Sequence, residues 1–183
     1  MAATMKRICI VGNSGAGKST LARRLGERLG LPVVHLDVLF WKPDWTESEP
    51  AEFHRRTAEA LAGEAWITDG NFTTVADLTL ARCDTILWLE QPMLLCLWRS
   101  VARALKGHGR ARPDMAAGCA EKIDPAFYGY IWTWSGAPRQ RLERAIAVHG
   151  REAKLIRLQG NRGVGEFLAG LDEALQQNSG PAR

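Results

Sequence analysis

The run Gly12-Asn13-Ser14-Gly15-Ala16-Gly17-Lys18-Ser19 constrains this chain more than any other stretch. It fits the spacing G-x-x-x-x-G-K-[ST] at every fixed position. The glycines let successive backbone N–H groups turn inward around an anion. Such a loop needs a strand ending at its first glycine and a helix starting at its last, so that the helix dipole adds its positive end. Both flanks comply: Arg7–Val11 reads RICIV, and Thr20–Leu29 carries Leu21, Leu25 and Leu29 at helical spacing. The dinucleotide-binding fingerprint is the nearest rival, but the order here is G-x-x-G-x-G rather than G-x-G-x-x-G.

The rest of the chain continues the alternation. Strands are expected at Pro32–Leu36, Ala65–Thr68, Asp84–Leu89 and Lys154–Leu158, and helices at Pro50–Leu61, Met93–Leu105, Pro138–Val148 and Val164–Leu175. Alternating strands and helices imply an α/β fold with a parallel sheet covered on both faces. With 183 residues and 46% hydrophobic composition, one domain with its own core is expected. Gln176–Arg183 reads as a frayed tail. No apolar run approaches a membrane span, and Met1–Arg7 lacks the apolar stretch and cleavage site of a signal peptide. The four cysteines (Cys9, Cys83, Cys96 and Cys119) show no metal or disulfide spacing, so a cytoplasmic location is expected.

A phosphate loop implies a nucleotide. ATP and Mg²⁺ are the expected cofactors, bound along Gly12, Asn13, Ser14, Gly15, Ala16, Gly17, Lys18, Ser19 and Thr20. Lys18 is expected on the β- and γ-phosphates, Ser19 on Mg²⁺ and Thr20 near the α-phosphate. No N-K-x-D tetrapeptide reads guanine. Ligands of such sheets lie beyond the carboxyl ends of the strands, where three acids follow expected strands. Asp37 is read as acceptor contact or general base and Asp69 as part of the metal shell. Glu90 competes with a plain loop role. His35 is expected to pack within its strand.

Charge sharpens the reading. The chain is +4 at pH 7, and Gln91–Pro113 holds Arg99, Arg103, Lys106, Arg110 and Arg112 with no acid. Arg99, Arg103 and Lys106 share a helix face, opposite an apolar face of Leu94, Trp98, Val101 and Leu105. The glycine-flanked segment after that helix reads as a mobile lid that brings Arg110 and Arg112 to the transferring phosphoryl group and excludes water. Arg139 is expected to face the site as well. Trp66, Trp88 and Trp98 are read as core. Phe40-Trp41-Lys42-Pro43 follows Asp37 in a loop at the ligand edge, where its aromatics either stack on a planar acceptor or pack within the loop. Phe127, Tyr130, Ile131 and Trp134 are read as anchors of the lid.

The combination of IVGNSGAGKSTLARRLGERLGLPVVHLDVLFWKPDW, WITDGNF, and LCLWR with GRARPDMAAGC resembles the FlaR-type topology modulation proteins, grouped with adenylate kinase-like and shikimate kinase-like P-loop proteins. The resemblance covers about residues 7–171. It implies a three-layer P-loop NTPase fold with a five-stranded parallel sheet in the order 2-3-1-4-5, helices on both faces and a helical lid inserted at about 107–124. It also implies that Gly160-Asn161-Arg162 lies in a loop beside the adenine, which makes Asn161 a nucleotide contact. The expected activity is transfer of the ATP γ-phosphoryl group to a nucleotide, nucleoside or other small molecule by Lys18, Asp37, Arg99, Arg103, Arg110 and Arg112. The AMP-site pattern of true adenylate kinases is absent, so the acceptor stays open. The alternatives are a regulatory nucleotide-binding protein that affects DNA topology through its basic surface, and a homo-oligomeric interaction protein. Nucleic acid is the less favoured partner, and no membrane partner is expected.

Overall fold

A computed structural model describes residues 5–107 and 114–178. Five parallel strands form the central sheet: β1 (Arg7–Gly12), β2 (Val33–His35), β3 (Trp66–Asp69), β4 (Thr85–Glu90) and β5 (Lys154–Gln159). Their order across the sheet is β2-β3-β1-β4-β5, the expected 2-3-1-4-5. The central strands β1, β3 and β4 are almost wholly buried, which is why they read as unbroken apolar runs rather than alternating ones.

Among the described residues, six α-helices lie between the strands, α1 (Lys18–Leu29), α2 (Leu36–Phe40), α3 (Pro50–Ala60), α4 (Met93–Gly107), α5 (Pro125–Thr133) and α6 (Ala137–His149), and α7 (Gly160–Asn178) follows β5. One core lies between the sheet and the helices α1 and α7, with Leu21, Leu25, Leu168 and Leu171 buried against Ile8, Ile10 and Leu87. The other holds Trp66, Trp88, Leu61, Leu80 and Leu142 on the opposite face, next to α3 and α6. Ile131 belongs to the first core and Trp134 to the second, so α5 bridges the two layers. Local signals place the helix ends. Gly30 closes α1 in the left-handed region, its N–H donating to Gly26. Asp124 caps α5 through the N–H groups of Ala126 and Phe127.

Several expectations are corrected. The second strand stops at His35, because Leu36 already opens the short helix α2. The stretch read as a loop after it is a hairpin, Trp41–Lys42 against Thr46–Glu47. Gly160–Arg162 is not a loop either: the chain passes from β5 straight into α7, with Gly160 at φ 62° making the turn. Helix α7 runs to Asn178, so the expected fraying does not begin at Gln176, and residues 179–183 lie outside the described residues.

The largest correction concerns α4. Its buried residues are Cys96, Ser100 and Ala104, whereas Leu94, Trp98 and Leu105 are 68%, 68% and 64% exposed. The apolar face points outward and Trp98 is not core, while Trp66 and Trp88 are. The reason is steric. A Cβ on Gly15 would stand 2.3 Å from the Cys96 carbonyl oxygen and 2.7 Å from Ser100 Oγ. The helix comes so close to the phosphate loop that only small side chains fit between them.

Candidate active site

The loop from Gly12 to Gly17 joins β1 to α1 above the middle of the sheet. Gly12 has φ 138°, and a Cβ there would lie 2.5 Å from the Leu89 carbonyl oxygen of β4. Only glycine meets both conditions. Gly17 stands at the helix start with no side-chain cap, and the first turn of α1 holds no acid. The N–H groups of that turn are left for an anion. Asn71 braces the loop: its Oδ1 accepts from the Gly12 N–H at 3.1 Å and its Nδ2 donates to the Gly12 carbonyl at 2.7 Å. Asn13 is 3% exposed and donates through Nδ2 to the Ile131 carbonyl at 3.1 Å, which ties the loop to α5.

Lys18 is half-buried, and its Nζ donates to the carbonyls of Gly12 and Asn13 at 3.0 and 3.1 Å. Burial pushes its ammonium below the ordinary lysine value, while the carboxylates of Asp37 and Asp69 and the Cys96 thiol pull the other way. The cation is held folded back on the loop with two acids in its field. Ser19 is partly exposed and Thr20 exposed, both in the first turn of α1.

Asp69 ends β3 at 3% exposure, and its Oδ1 lies 2.5 Å from His35 Nδ1 on the neighbouring strand β2. The hydrogen bond to Asp69 raises the His35 pKa above the ordinary histidine value, against the opposing effect of burial. His35 therefore has a partner and does not merely pack in its strand. Asp37 lies in the first turn of α2, and its charge is felt by both Lys18 and Tyr130. Tyr130 of α5 has its phenol raised by burial, with Asn71 opposing that shift.

Beside Asp37 stands an aromatic group. Phe40 packs on Trp41, Phe53 and Phe72 with ring centroids 4.7–5.1 Å apart. Trp41 packs on Trp45 at 5.5 Å, and Trp45 Nε1 donates to the Ala120 carbonyl at 3.0 Å. Asp44 and Trp45 both hold φ near 60°, a conformation unusual for residues with a side chain. The rings of Phe40, Trp41 and Trp45 pack on one another within this segment. The same contacts bring in the segment expected as a lid. The Asp44 N–H donates to the Gly118 carbonyl and the Cys119 thiol to the Lys42 carbonyl, so 114–120 lies on the hairpin. Residues 108–113 of that segment, with Arg110 and Arg112, lie outside the described residues.

The arginines of α4 turn inward. Arg99 donates to the Ala16 carbonyl at 3.5 Å and to Asn161 Oδ1 at 2.8 Å. Arg103 Nε lies 3.2 Å from the Glu121 carboxylate. Lys106 is exposed. Asn161 also receives a 3.4 Å hydrogen bond from Gln91, so it sits beside the loop although its own segment is helical. Arg139 departs from expectation. Its guanidinium is held by Glu90 and Glu143, both at 3.0 Å, and lies 5.3 Å above the Trp88 ring. Glu90 also holds Arg157 at 2.8 Å. Both residues are paired in a structural cluster rather than directed at the loop.

Sequence reasoning thus missed Asn71 as the brace of the loop and His35 as the partner of Asp69. The short stretch Asp69-Gly70-Asn71 signalled the first, since it follows a strand beside the phosphate loop. The second had no signal, because strand pairing across 34 positions creates it.

No protein-family model matches the chain. A protein of Rhodococcus jostii (strain RHA1) named shikimate kinase is 32% identical over 125 residues, which cover 60% of this chain and 70% of that protein. A Bacillus subtilis (strain 168) protein named uncharacterized protein YqaC is 27% identical over 148 residues, 79% of this chain and 81% of its own. The crystal structure of shikimate kinase from Bacteroides thetaiotaomicron superposes with a TM-score of 0.55 at 18% identity, covering 94% of this chain and 99% of that one. That superposition carries the fold alone. Among the described residues, no helix is long and apolar enough to cross a membrane. A phosphate loop set in this strand order, with sequence likeness over most of a named relative, places the chain: it belongs to the shikimate kinase family of P-loop proteins.

Proposed function

We propose that this chain is an ATP-dependent kinase that phosphorylates a small hydroxyl- or phosphate-bearing molecule, such as a nucleoside or nucleotide. The observation that carries this reading is the convergence of Lys18, Asp37 and Asp69 around a complete phosphate loop. The uncapped first turn of α1 and the glycine cradle fit a polyphosphate, and the carboxylate of Asp69 and hydroxyl of Ser19 are hard oxygen donors of the kind Mg²⁺ takes. When bound, ATP with Mg²⁺ supplies the phosphoryl group and neutralises part of its charge.

The residues of this chain do the rest. The backbone of Gly12–Thr20 binds and orients the phosphates. Lys18 leaves its loop carbonyls and places its ammonium against the terminal phosphate oxygens. Asp69, steadied by His35, and Ser19 would hold Mg²⁺ through their oxygens. Asp37 orients the acceptor hydroxyl and takes its proton at a carboxylate oxygen. Arg99 and Arg103, joined by Arg110 and Arg112, stabilise the spreading negative charge. Asn161 borders the base. The acceptor lies between Asp37, the Phe40 group and the hairpin of Trp41 and Trp45.

Within the family, we place the chain with the FlaR-type proteins on its HLDVLFWKP and DGN stretches. The regulatory DNA-binding alternative draws less support. Its basic surface would need Arg99 and Arg103 free and turned outward, whereas Arg99 donates to the loop at Ala16 and Arg103 is paired with Glu121.

The test is ADP release by the full chain with ATP·Mg²⁺ and a panel of nucleosides, nucleoside monophosphates, shikimate and small alcohols. One acceptor is expected to raise release well above the hydrolysis background, and Lys18→Ala to abolish that rise with the fold retained. Equal transfer by Lys18→Ala would overturn the assignment.

A further inference from the structure

The chain leaves β3 at Asp69 through Gly70, whose N–H donates to the Ile10 carbonyl at 3.3 Å and whose φ is 141°. A Cβ on Gly70 would stand 3.1 Å from Leu36 Cβ and 3.2 Å from the Phe72 ring, so the turn belongs to glycine. It sets the Asn71 amide alongside Gly12. The Gly12 N–H can be taken only by the amide oxygen, which fixes the amide's orientation and aims Nδ2 at the Gly12 carbonyl. That buried carbonyl also receives Lys18 Nζ, at 3.0 Å against 2.7 Å for Asn71. The second carbonyl that holds Lys18, that of Asn13, receives the Ala16 N–H as well, at 3.2 Å. Each of the two carbonyls therefore has a donor that stays when the ammonium goes.

We propose that Asn71 is a positioning residue that releases Lys18: its amide keeps the Gly12 carbonyl satisfied while the ammonium swings to the phosphates. A carbonyl oxygen has two acceptor lone pairs, and here two donors share them. Losing one donor of two gives up a single hydrogen bond. Losing the last donor leaves a buried acceptor bare, which costs more. Take the amide away and, of these two donors, only Lys18 is left, so the oxygen retains it. The amide thus does more than brace the loop: it decides how tightly the loop grips its own lysine. The proposal rests on the reading that a polyphosphate binds here, because that is what draws Lys18 off. The competition of the two donors for one oxygen does not depend on that reading.

The experiment follows the lysine itself. The full chain and its Asn71→Leu variant are treated with acetic anhydride in the absence of nucleotide. Acetylation of Lys18 is read by peptide mass spectrometry against the exposed Lys6. Asn71→Leu is expected to slow Lys18 at least about fivefold. An amide that merely braces the loop would give the opposite sign, since its loss would loosen the loop and uncover the ammonium. An unchanged or faster rate would therefore overturn the proposal. Calorimetry with AMP-PNP·Mg²⁺ is expected to show binding at least about tenfold weaker in the variant, and equal affinity would also overturn it. No binding by the unaltered chain would overturn the kinase reading instead, with acetylation still deciding on Asn71. Should Asn71→Leu fail to fold, a crystal of the unaltered chain with AMP-PNP·Mg²⁺ decides. Lys18 is expected off the Gly12 carbonyl with the Asn71 amide still on it, and an amide that has left together with Lys18 would overturn the proposal.

Discussion

Two pairs of arginines stand near the carboxyl ends of the strands and differ in what answers their charge. Arg139 and Arg157 flank the Trp88 ring at 5.3 and 4.9 Å and share the carboxylate of Glu90. Arg99 and Arg103 sit across the phosphate loop on α4. There Arg99 donates to two neutral oxygens, while Arg103 shares Glu121. The first pair is closed: each charge is cancelled within the protein, and its work is to seal the edge of a core. Among the described residues Arg99 is met by dipoles, which orient a guanidinium without neutralising it. The same residue type thus meets a carboxylate pair in one place and neutral oxygens in the other, and only the second arrangement leaves a positive charge for the anion binding proposed above.

That contrast can be broken by experiment. Arg99→Ala is expected to lower phosphoryl transfer by roughly 10²–10³-fold, measured as kcat/KM, with the melting temperature nearly unchanged. A large loss of stability with little loss of rate would place Arg99 in the same class as Arg139. Glu90→Gln should do the reverse. It removes the anion that Arg157 and Arg139 share, leaving Arg139 with Glu143, and costs about 1 kcal/mol, or a melting point lower by about 2–4 °C, with turnover retained. The cost is small because both arginines are about one-third exposed or more.

The loop side also holds one closed pair, His35 with Asp69, and pH sharpens its standing. Its folded pKa is raised, so its contribution to stability is full below the ordinary histidine value of about 6.5 and fades as pH rises through the folded value. The urea midpoint is expected to fall across that range in the unaltered protein, and His35→Gln to flatten the fall. An unchanged slope would show that the pair does not exist in solution. The smallest effect belongs to α4's outer face: Trp98→Ser should move stability by less than about 0.5 kcal/mol, as read from the denaturation midpoint. A core-sized loss would mean that the helix sits with Trp98 inward.

Trp98 also marks how far sequence reading reaches. The phosphate loop, the strand before it and the helix after it were legible because a fixed spacing and two periodicities agree on the same few residues. The strand order followed from resemblance and holds. For α4 the periodicity revealed an apolar face but not its direction. Direction is set by how closely the helix approaches Gly15, and only the folded chain defines that distance. The pairing of His35 with Asp69 was likewise invisible, since it depends on β2 lying beside β3 in register. From sequence, Glu90 fits either a site residue or a plain loop residue. Its actual role depends on Arg139 and Arg157 arriving from α6 and β5.

The absent side chain at Gly15 leaves the phosphate loop against the backbone of α4 with nothing soft between them. Closely packed bodies of this kind move together or part; they do not deform smoothly. A displacement of α4 is therefore transmitted whole to the loop instead of being absorbed on the way. The outer surface of that helix, Leu94, Trp98 and Leu105, is a handle open to solvent. Anything that leans on the handle leans on the grip for the phosphates.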